Sequence, residues 1–114
     1  MSNNVVFTEI FEKYFKRYSK KYHSLKTDLD ELINKLLENP KLGTDLGNNL
    51  YKIRLAVKSK NKGKSGGFRV VTFLITENND NVEINLIIIY DKSEISDIPK
   101  KELIEIVKQI FDLY

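Results

Sequence analysis

Hydrophobic positions recur at helical spacing through the first 40 residues. The first stripe, which Thr8 can cap, consists of Ile10, Phe11, Tyr14, Phe15, Tyr18 and Tyr22. A second stripe of leucine and isoleucine begins after Ser24 and ends at Asn39-Pro40, because proline cannot continue the hydrogen-bond ladder of a helix. The pattern predicts a short strand at residues 5–7, followed by two helices that pack as an antiparallel hairpin.

The second half of the chain has the patterns of strands. Residues 41–49 show no period and are predicted to be a loop, whereas residues 51–58 alternate apolar and basic side chains, as a half-buried strand does. Residues 68–75 and 82–90 are rich in β-branched and aromatic types, and the second run is apolar on both faces, so we expect it in the middle of a sheet. The Asn and Asp residues at 78–81 predict a hairpin turn between them. A final helix is predicted to begin at residues 97–99, with proline near its first turn.

These elements define a fold class. Their order is β-α-α-β-β-β-α, and the connections between the last three strands are too short for a parallel crossover. We therefore predict an α+β fold, in which an antiparallel sheet carries an N-terminal helical hairpin and a C-terminal helix, with all helices on one side. The 114 residues suit a single domain that spans residues 1–114.

The composition excludes several classes of protein. The chain has no cysteine and one histidine, His23, which excludes a disulfide scaffold, a thiolate metal site, a cysteine nucleophile and a histidine-rich zinc centre. No apolar run approaches the roughly 20 residues of a membrane helix, and the N-terminus has no signal-peptide pattern. We expect a cytoplasmic protein with no membrane partner, no metal and no cofactor.

Positive charge is concentrated in the middle of the chain. Residues 41–76 hold eight basic side chains and one acidic one, whereas residues 77–114 hold four basic and nine acidic ones. A basic block inside a folded domain indicates an anionic partner, of which phosphate backbones are the usual kind. A lysine-rich loop that only keeps the protein soluble would give the same composition, and charge alone does not separate the two.

The basic strand suggests a specific chemistry. Lys52, Arg54 and Lys58 share one face of the predicted strand at 51–58, and Arg69 opens the next strand, which is expected to pair antiparallel with it. Converging cations suit RNA cleavage without a metal: a lysine with a lowered pKa can act as base, and guanidinium groups can bind the phosphate. The alternative is that these residues only hold a phosphate backbone or an acidic partner, and their spacing fits both.

Four stretches of the chain together carry a family resemblance. They are residues 39–43, 51–56, 60–71 and 89–94. The most specific part is the run Lys-Gly-Lys-x-Gly-Gly-x-Arg at residues 62–69, followed by Tyr-x-Lys-x-Glu at residues 90–94. The chain resembles the RelE/ParE superfamily of toxins from type II toxin–antitoxin modules, and most closely its HigB-like branch. The resemblance implies a toxin that binds the ribosome, cuts mRNA there by 2′-OH attack without a metal, and thereby inhibits translation. It also implies a cognate antitoxin, often with a helix-turn-helix domain.

The resemblance also implies roles for individual residues. Lys52 and Arg54 match basic strand positions where a lysine is proposed as the base, and Arg69 matches an arginine that contacts the scissile phosphate. Lys92 lies at or beside a late basic position that Ser93 alternatively occupies, and Tyr90 and Tyr114 are the candidates for a tyrosine of the family. The candidate catalytic residues are thus Lys52, Arg54, Arg69, Tyr90 and Lys92. Independently of the resemblance, Lys60, Lys62 and Lys64 continue the alternation of Lys58 if the chain stays extended, so the candidate RNA-binding residues are Lys58, Lys60, Lys62 and Lys64.

Two other functions remain open from the sequence. A ParE-like inhibitor of DNA gyrase shares the superfamily but is not a nuclease, and the clustered cations argue against it. A non-catalytic module that binds RNA or an antitoxin would need the same basic surface without the chemistry.

Overall fold

The computed structural model describes residues 3–60, 67–77 and 80–112. Within these ranges, three helices and five strands follow one another. They are β1 (Asn4–Phe7), α1 (Glu9–Ser19), α2 (Leu25–Glu38), β2 (Thr44–Gly47), β3 (Leu50–Leu55), β4 (Phe68–Thr76), β5 (Val82–Asp91) and α3 (Lys100–Phe111), with a 3₁₀ turn at Lys58–Lys60 between β3 and β4. No helix within these ranges is long and apolar enough to cross a bilayer.

The five strands form one sheet in the order β1-β5-β4-β3-β2. β3, β4 and β5 are the antiparallel meander that the sequence predicts, and β1 pairs parallel to β5 at one edge. β5 is buried from Ile84 to Tyr90, as its apolar pattern on both faces predicts. The predicted α+β class is therefore confirmed.

The prediction of a loop at residues 41–49 is wrong for β2, which pairs antiparallel with β3. Asn48 and Asn49 have φ angles of 55° and 64° and form the two-residue turn between Gly47 and Leu50. Such a turn matches the twist of the flanking strands and requires positive φ at both positions, which asparagine tolerates. The residues that interrupt the hydrophobic period are thus the residues that close the hairpin.

Thr8 fixes the start of α1 against the middle of the sheet. Its Oγ1 accepts a hydrogen bond from the Phe11 amide at 3.2 Å, which confirms the predicted cap, and donates one to the Leu86 carbonyl at 2.8 Å. The apolar stripe of α1 then packs on the sheet, where Phe11 and Tyr18 are buried. α2 ends at Glu38, before Asn39-Pro40, as predicted.

Helices cover both faces of the sheet, which corrects the expectation that they share one side. α1 and α2 pack on the face that carries Ile53, Val70 and Ile89. Leu103 and Val107 of α3 pack on the opposite face, against Val71, Ile88 and their neighbours. A hydrophobic stripe shows that a helix buries one side, but it does not show which face of a sheet receives it.

β3 ends at Leu55, three residues before the predicted end at residue 58. Hydrogen bonds to α2 then bend the chain into the 3₁₀ turn. The buried Asp28 carboxylate accepts from the Lys58 amide at 3.1 Å and from the Ser24 hydroxyl at 2.7 Å, and the Ser59 amide donates to Ser24 Oγ at 2.8 Å. The alternation of faces that the sequence predicts therefore stops before Lys58.

Candidate active site

A row of three polar side chains crosses the centre of the sheet. Arg54 of β3 pairs with Arg69 of β4, and Arg69 pairs with Tyr90 of β5, so the three are direct cross-strand neighbours. Lys52 lies two residues before Arg54 and therefore shares its face. This is the face opposite α1 and α2, beside the part that α3 covers.

The row forms the floor of a groove of about 390 Å³, here called the cationic groove. Its lining residues are Thr44, Leu46, Lys52, Arg54, Arg69, Tyr90, Lys92, Ser96 and Asp97. All five candidate catalytic residues from the sequence are among them. The alternation along β3 and the antiparallel pairing of three strands bring Lys52, Arg54, Arg69 and Tyr90 together.

Two arginines of this groove are direct cross-strand partners. Arg69 is buried, and its Nη1 donates to the Phe68 carbonyl at 3.2 Å, whereas the paired Arg54 is exposed. Arginine keeps its charge at any pH that a protein tolerates. The groove therefore has one positive charge fixed in its floor and another at its surface, an arrangement that suits a phosphate group.

Tyr90 contributes a phenol that stays neutral. Its side chain is only 1% exposed, and this burial raises the pKa of the hydroxyl above its ordinary value. Lys52 and Arg69 oppose the rise in pKa, and Asp97 adds to it. At pH 7 the phenol thus keeps its proton and can donate a hydrogen bond.

Lys52 is held by a carboxylate that the sequence analysis did not include. Its Nζ donates to Asp97 Oδ1 at 2.6 Å, and the Asp97 side chain remains 60% exposed. The hydrogen bond from Lys52 lowers the pKa of Asp97, with a smaller contribution from the charge of Lys92. Forty-five residues separate the two partners, so no local spacing reveals the pair.

Lys92 lies in the turn after β5, where its amide donates to the Gly67 carbonyl at 3.1 Å. This bond places it beside the start of β4, and its exposed side chain lines the rim of the cationic groove. Lys58, by contrast, does not line that groove. Its exposed ammonium is 3.5 Å from Glu31 of α2, on a neighbouring surface that Arg54 also borders.

Lys60 lies away from the cationic groove, on the side of the sheet that α1 and α2 cover, which corrects its grouping with the surface lysines. Its side chain is 6% exposed, and its ammonium forms an ion pair with Asp91, whose side chain is 2% exposed. The pair packs beside the Phe68 ring. Burial alone would raise the pKa of Asp91, but hydrogen bonds from Lys60 and Ser93 outweigh it, so the pKa is lowered. Lys60 is therefore part of the buried core and does not face the cationic groove.

Three further candidates, Lys62, Lys64 and Tyr114, lie outside the described residues. Within the part of the chain that the structure does describe, no three acidic or histidine side chains cluster as metal ligands do. The cationic groove thus offers two guanidinium groups, two ammonium groups, one neutral phenol and one carboxylate. Such a set can bind a phosphodiester and supply both a proton acceptor and proton donors.

Comparisons with known proteins agree with this fold. A family model described as the RelE toxin of the RelE/RelB toxin–antitoxin system matches residues 8–112. A double arginine-to-alanine mutant of the E. coli toxin RelE, in the free state, has the same fold, with a TM-score of 0.60 and 20% sequence identity over 96% of this chain and 99% of that chain. A comparison with curated proteins found no match. Because the family model spans nearly the whole chain, the protein belongs to the RelE family of toxins from toxin–antitoxin systems.

Proposed function

We propose that this toxin is a ribosome-dependent endoribonuclease that cleaves mRNA by attack of the ribose 2′-OH on the adjacent phosphate. One observation carries the proposal: Arg54, Arg69 and Tyr90 form a continuous row across three strands, in a groove that also holds Lys52 and Lys92. A module that only binds RNA has no need of a buried arginine and a buried phenol beside each other in the floor of its binding surface.

The reaction needs three things from the protein, and the groove has groups for each. The scissile phosphate gains negative charge in the transition state, and the guanidinium groups of Arg69 and Arg54 bind its non-bridging oxygens. The leaving 5′-oxygen needs a proton, which an ammonium or the Tyr90 phenol can donate. The 2′-OH must lose a proton to a base. None of these steps requires a metal ion.

The chain acts as one toxin domain over residues 1–114 in the bacterial cytoplasm, with the ribosome and mRNA as targets and a cognate antitoxin, often carrying a helix-turn-helix domain, as inhibitor. Membership of the RelE toxin family supports the antitoxin partner. The Tyr-x-Lys-x-Glu run at residues 90–94 supports placement in the HigB-like branch.

Cleavage on programmed ribosomes tests this function. Purified toxin is added to ribosomes that hold a defined mRNA, in the presence of enough Mg²⁺ for the ribosome, and new mRNA ends are mapped by primer extension. We expect cleavage by the wild type and a loss of about 10²–10³-fold for Arg69→Ala, which corresponds to about 2.7–4 kcal/mol of lost transition-state stabilisation.

Two further variants keep the test interpretable. Arg69 is buried, so Arg69→Ala is checked by circular dichroism, and Arg54→Ala removes an exposed cation of the same groove without opening the core. Lys26→Ala, on the exposed face of α2, is the matched control for loss of one positive charge. Wild-type protein that leaves mRNA on ribosomes intact, while inhibiting DNA gyrase, would contradict the nuclease and favour the ParE-like function.

A further inference from the structure

Among the groups that line the cationic groove, one carboxylate is left without a role in the steps above. We infer that Asp97 is the general base that takes the proton of the 2′-OH, an assignment that rests on the proposed function. The observation behind it is the position of Asp97 in the groove, where its Oδ1 is 2.6 Å from the ammonium of Lys52.

The other titratable side chains of the groove are poor proton acceptors. Arginine and lysine cations have donors and no acceptor, which applies to Arg54, Arg69 and Lys92. The Nζ of Lys52 is already engaged as a donor to Asp97. The buried phenol of Tyr90 also keeps its proton at neutral pH. Asp97, by contrast, is already ionised at pH 7, and its side chain is accessible to a substrate.

Cleavage releases one proton from the 2′-OH and needs one proton for the 5′-oxygen. Asp97 can take the first and Lys52 can give the second, and the two side chains are hydrogen-bonded to each other. The 2′-oxygen forms a bond to phosphorus as its proton passes to the Asp97 carboxylate. The bond from phosphorus to the 5′-oxygen breaks as that oxygen takes a proton from the Lys52 ammonium. The products are a 2′,3′-cyclic phosphate and a 5′-OH, and the protein is left with a neutral acid beside a neutral amine.

Their contact then restores the starting state. Since the two side chains are within hydrogen-bond distance, the proton on Asp97 can move directly to Lys52. A bound phosphate also competes with Asp97 for the Lys52 ammonium before cleavage. As that hydrogen bond is the largest cause of the lowered pKa of Asp97, its loss makes the carboxylate a stronger base when substrate is present.

The pH dependence of cleavage distinguishes a carboxylate base from a lysine base. The charged and titratable groups that face Asp97 are Lys52 from β3 and Lys92 from the turn after β5, and the same groove holds Arg54, Arg69 and Tyr90. The cations keep Asp97 ionised, so the single-turnover rate of the wild type is expected to stay level between about pH 5.5 and 8. A base that must first lose a proton would give a rate that rises about tenfold per pH unit.

The variant Asp97→Asn completes the test. It keeps the size of the side chain but cannot take a proton, so we expect a fall of about 10²–10⁴-fold in the single-turnover rate, with RNA binding and melting temperature retained. Asp97→Glu should recover part of the rate, because it restores a carboxylate. Asp30→Asn is the matched control, since Asp30 also forms an exposed ion pair, with Lys26 on α2, and its side chain is 55% exposed.

Each result has a definite meaning. Cleavage by Asp97→Asn within threefold of the wild type would overturn the assignment, and so would a wild-type rate that rises tenfold per pH unit between pH 6 and 8. A wild type without cleavage at any pH would instead refute the proposed function, and the assignment with it. The wild-type profile therefore separates the two failures.

Discussion

The ion pair between Lys60 and Asp91 is buried beneath α1 and α2, and it offers a direct test of how the end of β5 is held. Asp91 also accepts from the Ser93 amide at 2.9 Å, from the Ser93 hydroxyl at 2.8 Å and, more weakly, from the Tyr22 hydroxyl at 3.4 Å. The variant Lys60→Met keeps most of the length of the side chain, but it removes the ammonium, whose nitrogen lies 5.4 Å from the centre of the Phe68 ring.

Removing one partner of a buried ion pair typically costs about 3–5 kcal/mol, because the other charge stays buried without compensation. Since Ser93 and Tyr22 continue to donate to Asp91, we expect the lower end, about 3 kcal/mol of unfolding free energy. For a domain of this size each kcal/mol lowers the melting temperature by about 4 °C, which gives a fall of about 12 °C. Urea denaturation followed by circular dichroism at pH 7 measures the free energy directly.

The pH dependence of the loss tests its electrostatic origin. In the wild type the pKa of Asp91 is lowered on folding, so its contribution to stability is present above the unfolded pKa and is lost as pH falls through the folded one. In Lys60→Met the hydrogen bond from Lys60 no longer offsets the effect of burial, so the pKa of Asp91 is higher than in the wild type. Asp91 therefore takes up a proton, and loses its buried charge, at a higher pH. The stability difference between the two proteins should therefore shrink as pH falls from 7 towards 4.

A matched variant separates this effect from the loss of any lysine. Lys26→Met removes the ammonium of an exposed pair on α2, and surface pairs of this kind contribute only about 0.3–0.5 kcal/mol. A cost below 1 kcal/mol for Lys60→Met, or a difference from the wild type that stays constant with pH, would refute the reasoning.

Two further predictions concern the groove and the surface beside it. Tyr90→Phe removes only a hydroxyl from a buried ring, so we expect a change in unfolding free energy below about 1.5 kcal/mol. Because one hydrogen bond to a charged group is lost, we also expect single-turnover cleavage to fall by about 10- to 100-fold. An unchanged rate would show that the phenol takes no part in the mechanism. Lys58→Ala should weaken RNA binding and lower the slope of log affinity against log salt by about 0.7, because the exposed ammonium of Lys58 would contact a backbone phosphate. The slope is measured between 50 and 200 mM salt, and a slope equal to that of the wild type would contradict this prediction.

The site could be predicted from the sequence as far as the strands extend. Alternation along a strand and antiparallel pairing fix which side chains share a face, and this is why Lys52, Arg54, Arg69 and Tyr90 meet. The same rule failed for Lys60, because the 3₁₀ turn after β3 ends the alternation and leads the chain towards α2.

Other parts of the structure depend on contacts that no local pattern encodes. Asp97 reaches Lys52 only through the packing of the segment before α3. The face on which α3 packs is likewise set by the path of the chain after β5. β2 is a different case, since Asn48-Asn49 is a recognisable turn signal, but the strand before it has only four residues and shows no clear alternation.

Induction of the toxin in growing cells shows whether the protein stops translation by cleaving mRNA. Wild type and Arg69→Ala are expressed side by side while growth and ³⁵S-methionine incorporation are followed and mRNA ends are mapped. We expect a rapid fall in translation with new mRNA ends inside reading frames, both absent for Arg69→Ala. Normal translation with arrested replication, or new mRNA ends that persist in Arg69→Ala, would contradict it.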